Sequence, residues 1–153
     1  MTTQPSLVAR MVEALALTRT ERVLEVGTGY GWQTALVASL ARFVWTIERW
    51  ADVAATARLH LARQGFADVE VVVGDGSKGL PERAPFEAII VSAAHPSVPP
   101  HLAAQLAPGG RLVQPIGHGG NEDVILFEHR DGALRLVRRL TGAYFVPLVP
   151  AGD

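Results

Sequence analysis

The sequence predicts an α/β fold, a mostly parallel central sheet with helices on both faces and an antiparallel hairpin towards its C-terminus. Three observations predict it. Strand-length apolar runs alternate with stretches whose apolar residues recur at helical spacing, the pattern of a buried parallel sheet. The first of those runs, Val23-Leu24-Glu25-Val26, passes straight into Gly27-Thr28-Gly29-Tyr30-Gly31 and then into a helical pattern. That is the order strand, glycine loop, helix N-terminus. Near the end, residues 124–128 and 134–137 flank Asp131-Gly132, a strong hairpin signal.

Taken in order, Thr3-Gln4-Pro5 reads as a helix start, with Thr3 as N-cap and proline in the first turn. Leu7, Val8, Met11, Val12 and Leu15 then form one apolar stripe, which is core. Residues 18–21 link to a first strand at Arg22–Val26. Beyond the glycines, Leu36, Val37, Leu40 and Phe43 give a second amphipathic helix, followed by a strand over 44–48 that ends on Glu48. Trp50, Val53, Ala54, Ala57 and Leu61 define a third helix, closed by Gly65 at C′. A third strand, Val69–Val73, runs into Gly74-Asp75-Gly76, and a fourth covers 86–92. A short helix over 101–106 stops at Pro108-Gly109-Gly110 before a fifth strand at 111–115. The hairpin follows, and the last apolar run is Tyr144-Phe145-Val146-Pro147-Leu148-Val149.

At 153 residues and 48% hydrophobic, the chain reads as a single domain over 1–153 with enough apolar material for a full core. A formal charge of -1 gives no electrostatic case for nucleic acid or an anionic membrane. Zero cysteines exclude a disulfide scaffold and any thiolate metal site, and fit a cytoplasmic protein. No basic region leads into an apolar one at the N-terminus, and no apolar stretch nears the roughly 18 residues of a membrane span. Residues 117–123 read as a polar, glycine-rich surface loop. Oligomeric state leaves no mark in the sequence.

Ligands of such sheets bind beyond the carboxyl ends of the strands. Glu25, Glu48, Asp75 and Ser92 all fall at or just after those ends, which points to one site. The glycines lack the G-x-G-x-x-G dinucleotide spacing, because Trp32 stands where the third glycine would be. Glu48 lies 21 positions after Gly27, where a carboxylate reaches the ribose hydroxyls of a nucleoside. Asp75 could accept from an exocyclic amine, although a plain Gly-Asp-Gly turn looks the same. The five histidines form no i, i+3 or i+4 pair, so no metal is expected. His95 and His101 read as solvated loop residues. No G-x-S-x-G elbow supports a hydrolase.

The glycine loop, with its E-x-G-x-G-x-G spacing, resembles the S-adenosylmethionine loop of Rossmann-like class I methyltransferases. A longer series is more specific: Thr2-Thr3-Gln4-Pro5, the loop, Val72-Val73-Gly74-Asp75-Gly76, Val91-Ser92-Ala93-Ala94, Pro108-Gly109-Gly110-Arg111-Leu112 and Phe145-Val146-Pro147-Leu148. In this order they closely resemble the protein-L-isoaspartate O-methyltransferases, over nearly the whole chain. The resemblance implies methyl transfer from S-adenosylmethionine, leaving S-adenosylhomocysteine, to the carboxylate of isoaspartyl residues in damaged proteins or peptides. The ester then collapses to a succinimide, so the activity is one of protein repair. It also implies roles. Glu25 and residues Gly27, Thr28, Gly29, Tyr30 and Gly31 belong to the cofactor loop. Glu48 with Arg49 serves the ribose, and Asp75-Gly76 the adenine. Ala93, Ala94 and His95, with Val146 and Pro147 of a strand over 145–148, would bind the peptide.

The chain departs from the family pattern in four places. The family carries a further segment before its T-I-S-x-P motif, and this chain begins inside that motif. Thr3 stands at the motif's serine and is the candidate catalytic hydroxyl. His95 replaces a third alanine, and Val149 follows F-V-P-L where a polar residue is usual. Two rivals follow. One is an offshoot methylating another peptide or small-molecule carboxylate, and the other is a truncated cofactor-binding module without turnover.

Overall fold

The computed structural model describes residues 3–150. Seven strands form one sheet in the order β3-β2-β1-β4-β5-β6-β7. They are β1 (Arg22–Val26), β2 (Phe43–Glu48), β3 (Val69–Val73), β4 (Phe86–Val91), β5 (Leu106–Ile116), β6 (Glu122–Arg130) and β7 (Ala133–Ala143). The first five are parallel, and β6 and β7 complete the sheet antiparallel. Among the described residues four α-helices accompany them: α1 (Pro5–Ala14), α2 (Trp32–Ala38), α3 (Ala51–Arg63) and α4 (Pro100–Gln105). The chain order reverses between β1 and β4, so a crevice opens beyond their carboxyl ends.

The near-continuous apolar runs bury both faces. Val23, Val44, Ala88, Ile90, Val113 and Val124 meet α1 and α2 on one side. Leu24, Ile47, Ile89, Val91 and Leu112 meet Leu102 of α4 and Leu80 on the other. Alternation along each strand does this, since successive side chains point to opposite faces.

Several boundaries differ from expectation, each for a local reason. The N-cap of α1 is Gln4, without a side-chain cap, so Thr3 lies one residue outside the cap. Helix α2 ends at Ala38 because Leu40 N–H closes a tighter bond on Val37 O, and Phe43 opens β2 instead of completing a helical stripe. Pro108-Gly109-Gly110 does not end an element. It sits inside β5 as a bulge, where the pairing jumps from Phe86–Leu106 to Ala88–Arg111. Gly109 supplies the positive φ of 77° there, and a Cβ on Gly110 would lie 2.8 Å from Ala107 O. Helix α4 starts one residue early, at Pro100, and both hairpin strands run further than their apolar cores. Residues 145–148 form no strand, only an extended segment with a single bridge between Ala94 and Pro147. Gly65 does take the C′ position after α3, with φ 80°. Thr2 lies outside the described residues.

Candidate active site

Sheet hydrogen bonding continues past the strand ends and draws four loops together. Gly27 and Thr28 donate to Ile47 O at 2.9 and 3.2 Å, Gly74 to Glu48 O at 3.0 Å, and Ser92 to Val26 O at 2.9 Å. Glu48, Asp75 and Ser92 therefore converge on one rim, as their places at strand ends suggest, whereas Glu25 lies buried beneath it.

The glycine loop owes its path to backbone freedom. Gly27, Gly29 and Gly31 have φ of 99°, 54° and 91°, a region costly for residues with a Cβ. Nothing lies within 4 Å of the position a Gly29 Cβ would take, so the crest of the loop faces open space. Thr28 and Gln33 are buried beneath it, while Tyr30 and Trp32 are 53% and 71% exposed. The Tyr30 carbonyl accepts a bond from His60 Nδ1, 3.1 Å away, which fixes the proton on that nitrogen. The Glu48 carboxylate holds the loop from the side, accepting from Gly29 N–H at 2.8 Å and from Trp50 N–H at 3.2 Å. The Arg49 guanidinium lies 5.1 Å from the centre of the Trp50 ring.

Glu25 is fully buried. Its Oε1 accepts from the hydroxyls of Thr34 and, at 2.7 Å, Thr46, while Oε2 accepts from Gln33 Nε2 at 2.9 Å. The Thr46 proton is thereby committed, so the 2.6 Å contact between Thr28 and Thr46 has Thr28 as donor. Burial pushes the Glu25 carboxyl above the usual carboxylate range; the three donors oppose this, and the Glu48 charge adds to it. Gln33 donates its other proton to Ser92 Oγ at 2.9 Å, leaving the serine proton to point elsewhere, and Gln33 Oε1 is buried without a partner. Reading the sequence missed Gln33, Thr34 and Thr46. The one available signal was a polar pair in the first turn of a short helix.

Asp75 caps the turn after β3, its Oδ1 accepting from Ser77 N–H at 3.0 Å and Ser77 Oγ at 2.6 Å. Gly76 packs against the end of β1 so closely that a Cβ would fall 2.3 Å from Val26 Cγ1.

The other bank of the crevice is made by backbone. Ala93 and Ala94 are buried. Ala94 donates to Val146 O at 2.8 Å and accepts from Leu148 N–H at 2.7 Å, so both its peptide groups already hold the 145–148 segment. Val146 and Pro147 turn their side chains outward. His95 is pinned to the end of β5, donating to Pro115 O at 3.3 Å and accepting from Gly117 N–H at 3.1 Å. Its ring Nδ1 faces the Ser97 backbone, 2.8 Å from Ser97 O and 3.3 Å from Ser97 N. Thr3 is half-buried at the start of α1, whose direction is set by two arginines. Arg111 reaches Ala14 O at its far end, and Arg10 reaches Leu140 O. That direction brings Thr3 to the same end of the sheet as the crevice. Among the described residues no group of three or more His, Asp or Glu could hold a metal, and no helix is long and apolar enough to cross a membrane.

Comparison with known proteins identifies relatives in sequence and in fold. The family model of protein-L-isoaspartate(D-aspartate) O-methyltransferase matches residues 1–152. A curated relative of that name from Koribacter versatilis is 50% identical over 147 residues, 95% of this chain and 65% of the relative. A solved protein-L-isoaspartate O-methyltransferase superposes with a TM-score of 0.87 at 30% identity, over 95% of this chain and 47% of that one. A Plasmodium falciparum structure, described as a putative enzyme of this kind in complex with S-adenosyl-L-homocysteine, has a TM-score of 0.81 at 21% identity, over 97% and 75%. The chain thus spans just under two thirds of the Koribacter relative and about half of the first structure.

Proposed function

Because the chain belongs to the protein-L-isoaspartate(D-aspartate) O-methyltransferase family, we propose that it is a single methyltransferase domain in the cytoplasm. It moves a methyl group from S-adenosylmethionine to the free carboxylate of isoaspartyl residues in proteins or peptides, with no part for nucleic acid or membrane. The observation that carries this is the meeting of an acceptor-rich nucleoside cradle with a backbone-built cleft at one rim.

The residues suit the cofactor. The open crest at Gly29 leaves room for a ligand against bare backbone. Beside it stands an acceptor, the Glu48 carboxylate, which matches the hydroxyl donors of such a nucleoside. When bound, S-adenosylmethionine supplies a methyl carbon already electrophilic through its sulfonium.

The chain's part is alignment. A substrate carboxylate is anionic at neutral pH, so no strong general base is required. Gly27, Thr28, Gly29, Tyr30 and Gly31 bind the amino-acid and ribose end, Glu48 and Arg49 the ribose, and Asp75 and Gly76 the adenine. Glu25 acts beneath the loop by fixing Thr34, Thr46 and Gln33. Ser92 offers its free proton, and Thr3 a hydroxyl, to the acceptor oxygen. Ala93, Ala94, His95, Val146 and Pro147 border the peptide. Bound there, the cofactor would present a cationic centre to the anionic carboxylate, and a cleft walled by Ala93, Ala94 and Phe145 would favour their approach by keeping water out.

The test offers labelled S-adenosylmethionine to matched isoaspartyl and aspartyl peptides and scores base-labile methyl ester. Label on the isoaspartyl peptide is expected. Label confined to the aspartyl peptide, or none with S-adenosylhomocysteine bound tightly by calorimetry, overturns the assignment.

A further inference from the structure

Beyond β5 the chain turns through Gly117, His118, Gly119, Gly120 and Asn121 and enters β6 at Glu122, at the same end of the sheet as the crevice. Glu122 is 4% exposed. Its Oε1 accepts from Gly120 N–H at 3.0 Å, but its Oε2 is buried and has no partner. Glu122 lines a cavity of about 540 Å³ together with Asn121, Asp123, Arg139 and the end of β7. Asp123 and Arg139 neutralise one another across 2.6 Å, which leaves one uncompensated negative charge, that of Glu122. A carboxylate oxygen out of water and without a donor calls for a cation that brings its own protons.

The cavity adjoins the proposed peptide cleft. Glu122 pairs with Ala143, and three residues further on Val146 O holds Ala94 N–H. An extended chain covers at most about 3.6 Å per residue, so the cavity lies within about 11 Å of the Val146 peptide that holds Ala94. On an extended peptide that distance is two or three residues from the methyl acceptor. A cavity of this size exceeds the needs of a bare ion, and the described residues offer no three-ligand metal set.

We propose that Glu122 heads a cation subsite that takes the lysine or arginine side chain of a peptide substrate, two or three residues from the isoaspartyl group. The inference rests on the peptide-substrate reading above. It makes Glu122 a specificity residue, remote from the methyl transfer itself.

The experiment uses isoaspartyl peptides identical except for Lys, Gln or Glu two or three residues to either side. Binding is measured by fluorescence anisotropy with S-adenosylhomocysteine present, and initial rates with S-adenosylmethionine. The lysine peptide should bind at least roughly tenfold more tightly than the glutamate peptide, as expected for a charge-assisted bond. Glu122→Gln should bring that ratio close to one and Glu122→Lys should invert it, with S-adenosylhomocysteine affinity as the control for folding. Equal binding by the wild type, or a preference that survives Glu122→Gln, overturns the subsite. Should the variants not fold, the wild-type preference must shrink as sodium chloride is raised; a salt-independent preference also overturns it. Lysine-selective binding without methyl transfer to any peptide would uphold the subsite and refute the methyltransferase reading.

Discussion

Glu25 on β1 and Ala94 just past β4 belong to adjacent strands of the sheet, yet they are held by opposite means. Around Glu25 the contacts are side chain to side chain, through Thr34, Thr46, Gln33 and, one step out, Ser92. Around Ala94 they are peptide to peptide, with Val146 and Leu148 bonded to its own N–H and C=O. The first bank depends on which residues are present, and the second mainly on where the backbone runs. On the proposed function, a nucleoside of fixed shape would call for the first kind of wall, and an isoaspartyl site in peptides of varied sequence for the second.

The comparison breaks most readily at Phe145. This ring is 5% exposed in the cluster with Val8, Met11 and Val113, and it anchors the segment that Ala94 holds. Phe145→Ala should cost about 3–5 kcal/mol in urea unfolding. If the two banks are independent, S-adenosylhomocysteine affinity measured well below the unfolding midpoint should survive, while turnover falls. A matching loss of both would show that the banks act as one unit.

Glu48→Ala probes the other side. It removes the acceptor for Gly29 and Trp50 N–H and should lower S-adenosylhomocysteine affinity by about 1.5–3 kcal/mol by calorimetry, with peptide binding little changed. Gly76→Ala sets a Cβ against Val26 at 2.3 Å and should cost about 1–3 kcal/mol of stability by overpacking, seen as a lower thermal midpoint.

The smallest effect is one of pH. Burial holds the Glu25 carboxyl above its usual range, so the folded chain binds that proton more tightly than the unfolded one. The stability this contributes is fully present below the unfolded value near 4.3 and is lost as pH rises through the raised folded value. Glu25→Gln should remove that fall, so urea midpoints of wild type and variant should converge or cross as pH rises. Parallel curves would mean that Glu25 titrates as it does in the unfolded chain.

The legibility of the site follows the same division. Glu25, the three loop glycines, Glu48 and Asp75 stood out because they fall at or just after strand ends, which the parallel sheet brings to one edge. The parallel order of the first five strands was legible for a related reason, since runs such as Ile89-Ile90-Val91 are apolar on both faces. Gln33 and Thr46 did not stand out, because only the tertiary meeting of α2 with β2 brings them to one carboxylate. Pro108-Gly109-Gly110 misled, since residues that end helices also permit a bulge when a neighbouring strand supplies the pairing. Phe145-Val146-Pro147-Leu148 was expected as a strand through the family resemblance, yet Pro147 has no N–H to donate and the pairing stops at one bridge. Glu122 passed unnoticed at the end of a polar loop, where burial of a glutamate has no local signature.

The hairpin joining β6 to β7 offers a handle. Asp131 and Gly132 both have positive φ, 54° and 74°, in a tight turn at the far end of strands whose other end borders the crevice. A fluorophore or short epitope inserted there would be carried rigidly by the sheet and stand a full strand length from any bound peptide. That separation makes the turn a natural attachment point for immobilising the protein or reporting on it while both banks remain free.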